Sequence, residues 1–330
     1  MKILVTGGAG YIGSTTVAHL LIAGHKVMVY DDLSHGFEAA LPTGAELIVG
    51  DIGDRALLDQ VLAQGMDAII HFAGLIEAGE SMIKPAKYIS NNVGASTILI
   101  DAAQSHGIRN IVFSSSAAVY ASQDQPISED SLIRPVNVYG QTKRMVEEIL
   151  VWYHQLYGMK SCSLRYFNAS GASRFGGKIR GEAHKPETHL IPLVLQVALN
   201  QRETISIYGS DYPTPDGTNI RDYIHIDDLA IAHVRAVEGL VDEREALWVY
   251  NLGNGLGYSN LEVLETARHI TGHSIPAVMA PRRSGDGAVL IASSEKIKTE
   301  LGWQPKYPEL EKIIASAWEW HSTHPNGYAG

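Results

Sequence analysis

Tyr139 and Lys143 stand four residues apart in Val138-Tyr139-Gly140-Gln141-Thr142-Lys143. Residues i and i+4 share one face of a helix, so a phenol there has an ammonium as neighbour, which favours the phenolate. A phenolate beside a secondary alcohol is the base that its oxidation needs. Free tyrosine titrates at about 10, and bringing it to about 7 takes roughly 4 kcal/mol of differential stabilisation. Ser116 closes the run Ser114-Ser115-Ser116 and can orient the hydroxyl or relay its proton to Tyr139. The Tyr/Lys spacing alone is common on solvent-facing helices, so its meaning rests on what surrounds it.

The second chemical element is Thr6-Gly7-Gly8-Ala9-Gly10-Tyr11-Ile12-Gly13. Gly7, Gly10 and Gly13 satisfy Gly-x-x-Gly-x-x-Gly, and Gly8, Gly10 and Gly13 satisfy Gly-x-Gly-x-x-Gly. Such glycines permit a tight turn and close backbone approach to a pyrophosphate at a helix N-terminus. Asp31 ends the next apolar run, where an acid accepts from the adenosine ribose and repels a 2′-phosphate, so NAD is expected over NADP. Asp51 follows a third such run. It can accept from an adenine amino group or share a helix cap with Asp54.

These residues need a scaffold. Short β-rich apolar runs at 3–5, 26–30, 46–49, 68–72, 111–114 and 160–164 read as buried strands. Helical patterns at 11–23, 54–64, 85–106 and 138–157 alternate with them, and such βαβ alternation implies a parallel sheet covered on both faces. The expected fold is α/β, a Rossmann-type doubly wound parallel sheet with a smaller α/β substrate-binding lobe. Residues 1–168 are expected to form the NAD-binding domain, with a return around 222–252; residues 169–330 would form mainly the substrate lobe. A further helix begins near Ile226, with Asp227 or Asp228 as its cap.

Bulk properties agree. The 330 residues are 45% hydrophobic and 19% charged, which describes a globular chain. A formal net charge of −10 argues against nucleic-acid or membrane-surface partners. The single cysteine, Cys162, sits in an apolar run and reads as a buried thiol. No His/Asp/Glu cluster shows metal-ligand spacing, so no metal is expected, and His71 reads as the polar end of a strand. Trp318 and Trp320 are expected to pack the last helix. With neither a leader nor a spanning segment ahead of the glycine loop, a cytoplasmic location is expected.

Thr6–Gly13, Ser114–Ser116, Tyr139/Lys143 and Leu164-Arg165-Tyr166-Phe167-Asn168 together resemble the extended short-chain dehydrogenase/reductase family. Within it, Asp211–Thr218, Arg221-Asp222-Tyr223-Ile224-His225 and Arg282-Arg283-Ser284-Gly285-Asp286 resemble the UDP-hexose 4-epimerases, and the similarity runs from Met1 to Tyr328. The resemblance implies tightly held NAD, a UDP-sugar substrate, and a homodimer formed through helices 85–106 and 138–157. It makes Tyr139 the base, Lys143 its electrostatic partner and ribose ligand, and Ser116 a partner of the sugar hydroxyl. NAD would lie against Gly7, Gly10, Tyr11, Ile12, Gly13, Asp31, Asp32, Ser34 and Gly36. It would continue past Asp51, Ile52, Phe72, Ala73, Gly74, Asn91, Ser114, Tyr139, Lys143 and Phe167. Ser116, Asn168, His189, Leu190, Tyr208, Arg221, Arg283 and Asp286 would hold the UDP-sugar.

Arginine suits a diphosphate because its guanidinium is permanently charged and bidentate. The chain departs from the family pattern at three places. Ile76 stands where some members have a lysine near the cofactor ribose. Thr188-His189 replaces Asn-Asn, and Leu290 occupies the position that opens or closes the sugar pocket. A sugar-nucleotide dehydratase is disfavoured, because Ala117 and Ala118 fill the positions of its acid pair. A net reductase would need exchangeable NAD(P)H. A non-catalytic NAD-binding regulator would not need Ser116, Tyr139 and Lys143 together. The expected reaction is 4-epimerisation of a UDP-hexose through a 4-ketone, with N-acetylhexosamine and pentose substrates left open.

Overall fold

A computed structural model describes residues 1–123, 125–242, 246–283 and 286–328. The first half alternates as its apolar rhythm requires: β1 (Lys2–Thr6), α1 (Tyr11–Ile22), β2 (Lys26–Asp31), β3 (Glu46–Val49), α2 (Arg55–Leu62) and β4 (Ala68–His71). Then come α3 (Ala78–Ile83), α4 (Pro85–Tyr88), a π-helical segment Ile89–Ala95, α5 (Ser96–Ser105), β5 (Asn110–Ser116), α6 (Val138–Tyr157) and β6 (Lys160–Tyr166). The expected helix over 85–106 is thus present but interrupted. The wider π turn is a rare arrangement that recurs at functional sites. Here Asn92 Oδ1 accepts from Leu75 N at 2.8 Å and its Nδ2 donates to Leu75 O at 2.9 Å, fastening the loop after β4.

In the second half, β7 (Asn168–Ser170), β8 (Ser173–Phe175) and β9 (Lys178–Arg180) precede α7 (Leu190–Ala198), β10 (Ile205–Tyr208), β11 (Ile220–Arg221) and β12 (Tyr223–His225). The chain ends with α8 (Ile226–Asp242), β13 (Leu247–Leu252), β14 (Tyr258–Ser259), α9 (Asn260–Thr271), β15 (Ala277–Ala280), β16 (Val289–Leu290), α10 (Glu295–Leu301) and α11 (Leu310–Thr323).

The central sheet is wholly parallel, in the order β13-β6-β5-β4-β1-β2-β3. Strand order reverses between β1 and β4, and such a reversal leaves a crevice at the carboxyl ends of the strands. Helices α1 and α8 cover one face around Val5, Ile70, Val112, Leu164 and Tyr250; α2, α5 and α6 cover the other around Leu4, Ile69, Ile111 and Phe113. A separate core of Val194, Leu195, Val263, Leu264, Ile313 and Ile314 joins α7, α9 and α11. The return expected near 222–252 corresponds to α8 and β13.

Cys162 is fully buried on β6, as its apolar setting requires. Trp320 is buried, stacks on His324 with ring centroids 4.1 Å apart, and Trp318 packs against the α7/α9/α11 core. Among the described residues no helix is long and apolar enough to cross a membrane. Two expected caps are not caps. Asp54 alone caps α2, accepting from Leu57 N at 3.1 Å, while Asp51 turns back to Gly53 N at 2.7 Å. Asp227 and Asp228 lie inside the first turn of α8 and reach elsewhere: Asp227 to His19 and Ser173, Asp228 to the backbone N–H groups of Lys306 and Tyr307. A tertiary partner wins over a local cap where the acid is buried against another segment.

A buried ion pair ties α6 to the sheet. Arg165 on β6 donates from Nε and Nη2 to Glu147 at 2.9 and 2.6 Å, and both side chains are nearly excluded from water. Ser115 Oγ donates to the same carboxylate at 2.5 Å. Glu147→Ala strands a buried guanidinium and is expected to lower stability by about 3–5 kcal/mol. Urea unfolding measures this, and a loss under about 1 kcal/mol contradicts the role given to the pair.

Candidate active site

A cleft of about 410 Å³ lies at the carboxyl ends of the central strands. Gly7, Gly10, Tyr11, Ile12 and Gly13 form its floor after β1. Asp31, Asp32, Ser34 and Gly36 line it after β2, Asp51 and Ile52 after β3, and Phe72, Ala73 and Gly74 after β4. Asn91 enters from the π segment. Ser114 and Ser116 come from β5, Tyr139 and Lys143 from α6, and Phe167, Asn168 and His189 from the segments beyond β6. Every residue expected to touch the cofactor therefore shares one cavity. Tyr30, His35, Glu77, Glu182 and His184 line it too, although no motif in the sequence marked them, and so does Tyr166 of the Leu164–Asn168 motif.

The β1–α1 end fits a dinucleotide. A Cβ on Gly13 would stand 2.2 Å from the Gly7 carbonyl, so only glycine lets the helix start this close to the loop. Gly10 precedes α1 and offers its N-terminus no side-chain cap, which leaves those N–H groups for an anion. Asp31 is held in place by Ala9 N at 2.9 Å on one oxygen and Leu33 N at 2.9 Å on the other. Burial raises its pKa and these two N–H donors work in the opposite direction. A carboxylate so placed, with Asp32 beside it, accepts from a ribose and repels a 2′-phosphate. The residues present fit NAD.

At the other end α6 brings its first turn to β5. Asn137 caps it, accepting from Gly140 N at 2.8 Å. Gly140 is required there, because a Cβ would sit 2.2 Å from Ala118 O and push Tyr139 away from Ser116. Lys143 is buried and donates to Ser114 O at 2.8 Å, with Nζ 5.8 Å from the centroid of the Tyr139 ring. Here the structure corrects the simple charge argument. Burial raises the pKa of Tyr139; a hydrogen bond with Ser116 pulls it down and the charge of Glu77 pushes it up. Burial also presses Lys143 down to about 8, against a pull upward from Glu147. Burial thus shifts both groups toward their neutral forms, although Lys143 keeps its proton below about pH 8, and Lys143 alone does not make the phenolate. His71 is pushed down to about 3 by burial and, secondly, by Lys143, and its Nε2 lies 2.8 Å from Ser96 Oγ.

Arg221, Arg283, Asp286 and Tyr208 assemble apart from the cleft lining. Arg283 donates to Asp286 at 2.9 Å and its guanidinium carbon lies 4.9 Å from the centroid of the Tyr208 ring. Arg221 Nη1 donates to Gly287 O at 3.0 Å. Ser284 and Gly285 of the same motif lie outside the described residues. Leu190 opens α7 and packs on the lobe core, and Leu290 packs beside Tyr120, Phe167 and Ala292, so neither lines the cleft.

One group of possible metal ligands comes together that no spacing in the sequence marked. Glu182, His184, Glu187 and His189 converge until one donor atom of each lies within 4.8 Å of the others. Helix and strand spacing rules do not apply to this irregular segment, and its convergence could not be counted off the sequence.

Residues 3–253 match the NAD dependent epimerase/dehydratase family. The chain is 51% identical to a UDP-glucose 4-epimerase of Halalkalibacterium halodurans, across 100% of this chain and 98% of that one. A crystal structure of a UDP-glucose 4-epimerase superposes with a TM-score of 0.96 at 46% identity, covering 100% of both chains. The UDP-glucose 4-epimerase of Bifidobacterium longum in complex with NAD+ and UDP gives 0.93 at 38% identity, over 99% of this chain and 100% of that one.

Lys143 gives a test that needs no substrate. It releases its proton at about 8 when folded and at 10.5 when unfolded. Between those values the unfolded chain binds more protons, so stability rises with pH. Below pH 8 the buried ammonium costs on the order of 3 kcal/mol. Lys143→Met is expected to raise the Tm of the NAD-free chain at pH 7, and the advantage should vanish by about pH 10.5. A Met variant that melts lower than wild type at pH 7 contradicts this.

Proposed function

The chain belongs to the NAD dependent epimerase/dehydratase family, and from that membership we propose that it is a UDP-glucose 4-epimerase, interconverting UDP-galactose and UDP-glucose. One observation carries the reading: Ser116, Tyr139 and Lys143 open into the same cleft as the Gly7–Gly13 loop. An alcohol lying there meets its base and a hydride acceptor together.

Bound NAD supplies the acceptor for the C4 hydride and gives the same hydride back. Tyr139, as phenolate, takes the proton of the 4-hydroxyl directly or through Ser116, leaving a planar ketone whose two faces are equivalent in kind. The sugar turns within the cleft while the diphosphate stays fixed, and Tyr139 then returns its proton to the new C4 oxygen. Lys143 holds a ribose hydroxyl and opposes the charge that develops on Tyr139. Since burial keeps Tyr139 neutral in the chain alone, the cationic nicotinamide ring is the second positive charge that the phenolate needs. Asn168, His189, Tyr208, Arg221, Arg283 and Asp286 hold the nucleotide and sugar. Arg221 and Arg283 take the diphosphate, their own carboxylate partner Asp286 being replaced or shared on binding. The alanines at 117 and 118 leave no acid pair to expel water, so the ketone is returned and not dehydrated.

The galactose/glucose pair supports a role in galactose metabolism, with a cytoplasmic setting as part of the same reading. We also assign a homodimer through α3–α5 and α6. These helices pack on one another and carry exposed Ile83, Ile89, Trp152 and Leu156, of which Ile83 is 79% and Leu156 65% exposed. Trp152 and Leu156 lie four apart, on one face of α6.

Purified protein without added NAD is expected to convert UDP-galactose to UDP-glucose, followed by NMR; no turnover with or without NAD sinks the proposal. Tyr139→Phe should lose roughly 10²–10⁴ of the rate while keeping its fold. Light scattering of Trp152→Glu/Leu156→Glu should give a monomer where the wild type gives a dimer, and an unchanged mass rejects that interface.

A further inference from the structure

The segment Glu182-Ala183-His184-Lys185-Pro186-Glu187-Thr188-His189 forms the rim of the cleft just ahead of α7. Its four donor side chains fold inward onto one point. Glu182 is only 4% exposed, yet its Oε1 lies 2.9 Å from His184 Nδ1 and 2.6 Å from His189 Nδ1. Glu187 Oε1 lies 3.1 Å from that same His189 nitrogen. Two imidazoles thus crowd one oxygen of one buried carboxylate, with their rings 5.6 Å apart. A second carboxylate closes the set.

We propose that Glu182, His184, Glu187 and His189 form a binding site for a first-row transition-metal dication of the Zn²⁺ class, which fastens residues 182–189 to the cleft wall. Imidazole nitrogen and carboxylate oxygen suit Zn²⁺ and its neighbours, whereas Mg²⁺ and Ca²⁺ prefer oxygen alone. A four-coordinate ion with bonds of about 2.0–2.2 Å spaces its ligand atoms roughly 3.4 Å apart. The short contacts need to open by less than about 1 Å, and the widest, at 4.8 Å, needs to close by a little more. Two carboxylates balance the charge of one dication.

The surroundings already orient the ligands. Glu187 Oε1 accepts from the backbone N–H of Thr188 at 2.7 Å and of His189 at 2.8 Å. Trp320 Nε1 donates to the Glu182 carbonyl at 2.9 Å, and Tyr11 meets His184 edge to face. Outer contacts of this kind fix ring and carboxylate orientation in metal centres. The side chain of His189 is 43% exposed and gives an ion its way in. The ion's role is structural and no step of the epimerisation runs through it; His189 meets the cluster through Nδ1, which leaves its Nε2 for the UDP-sugar that the proposed function gives it.

Untagged full-length protein, treated with EDTA and dialysed, is titrated with Co²⁺. One equivalent should bind per chain with the intense visible bands of a four-coordinate ion, and Zn²⁺ but not Mg²⁺ should displace it. His184→Ala and Glu187→Gln should each weaken binding at least tenfold, and the double variant should show no stoichiometric site. Saturating Zn²⁺ should raise the Tm of the wild type by a few degrees and leave the double variant unmoved. No saturable Co²⁺ band in the wild type at micromolar concentration overturns the proposal, whatever the variants do. One equivalent retained by the double variant overturns it as well.

Discussion

The pair Glu147–Arg165 governs where everything else in the cleft stands. It joins the middle of α6 to β6, and Ser115 draws β5 into the same bond. Arg165 Nη1 also donates to Tyr120 at 2.7 Å, whose hydroxyl donates on to Asn251 of β13. Three neighbouring strands and one helix meet in this network. Charges taken out of water are costly unless geometry and further hydrogen bonds compensate, and that cost is what makes the register of α6 on the sheet unique. Sliding α6 by one residue would leave both charges unpaired. Tyr139 and Lys143, on the turns just before Glu147, inherit this fixed position relative to Ser116.

The cofactor end is organised differently. There the constraints are steric and dipolar: glycines that admit no Cβ, a helix start without a side-chain cap, and one carboxylate held by two backbone N–H groups. The chemical end uses burial. Water exclusion shifts both Tyr139 and Lys143 toward their neutral forms, and the low dielectric amplifies any cation brought next to them. A phenol in such a setting ionises most readily when a positively charged partner occupies the cleft, which ties its protonation to occupancy.

The strands of the first half, the glycine loop, Asp31 and the α6 helix were legible in the sequence because each is a local signal: a period, a turn residue, a spacing. The π segment was not, since its cause is a tertiary contact between Asn92 and the loop at Leu75. Glu77 and Glu182 escaped because they reach the cleft from segments without periodicity. The cap read for Asp227 or Asp228 misjudged acids whose partners lie far along the chain, whereas Asp51 turns back on its own loop at Gly53. Spacing revealed Lys143 as the neighbour of Tyr139, but not that burial alone raises the phenol's pKa in the chain without cofactor.

The strand order has a consequence for synthesis on the ribosome. Helix α8, which covers one face of the sheet with α1, and β13, which completes its edge beside β6, both come after the excursion through residues 168–225. A nascent chain that has delivered only β1 to β6 therefore presents an open strand edge and an uncovered apolar face. Open edges of that kind pair readily with other chains. Leu252 must leave the ribosomal tunnel before this sheet can close, and until then the early half depends on being kept apart from its neighbours.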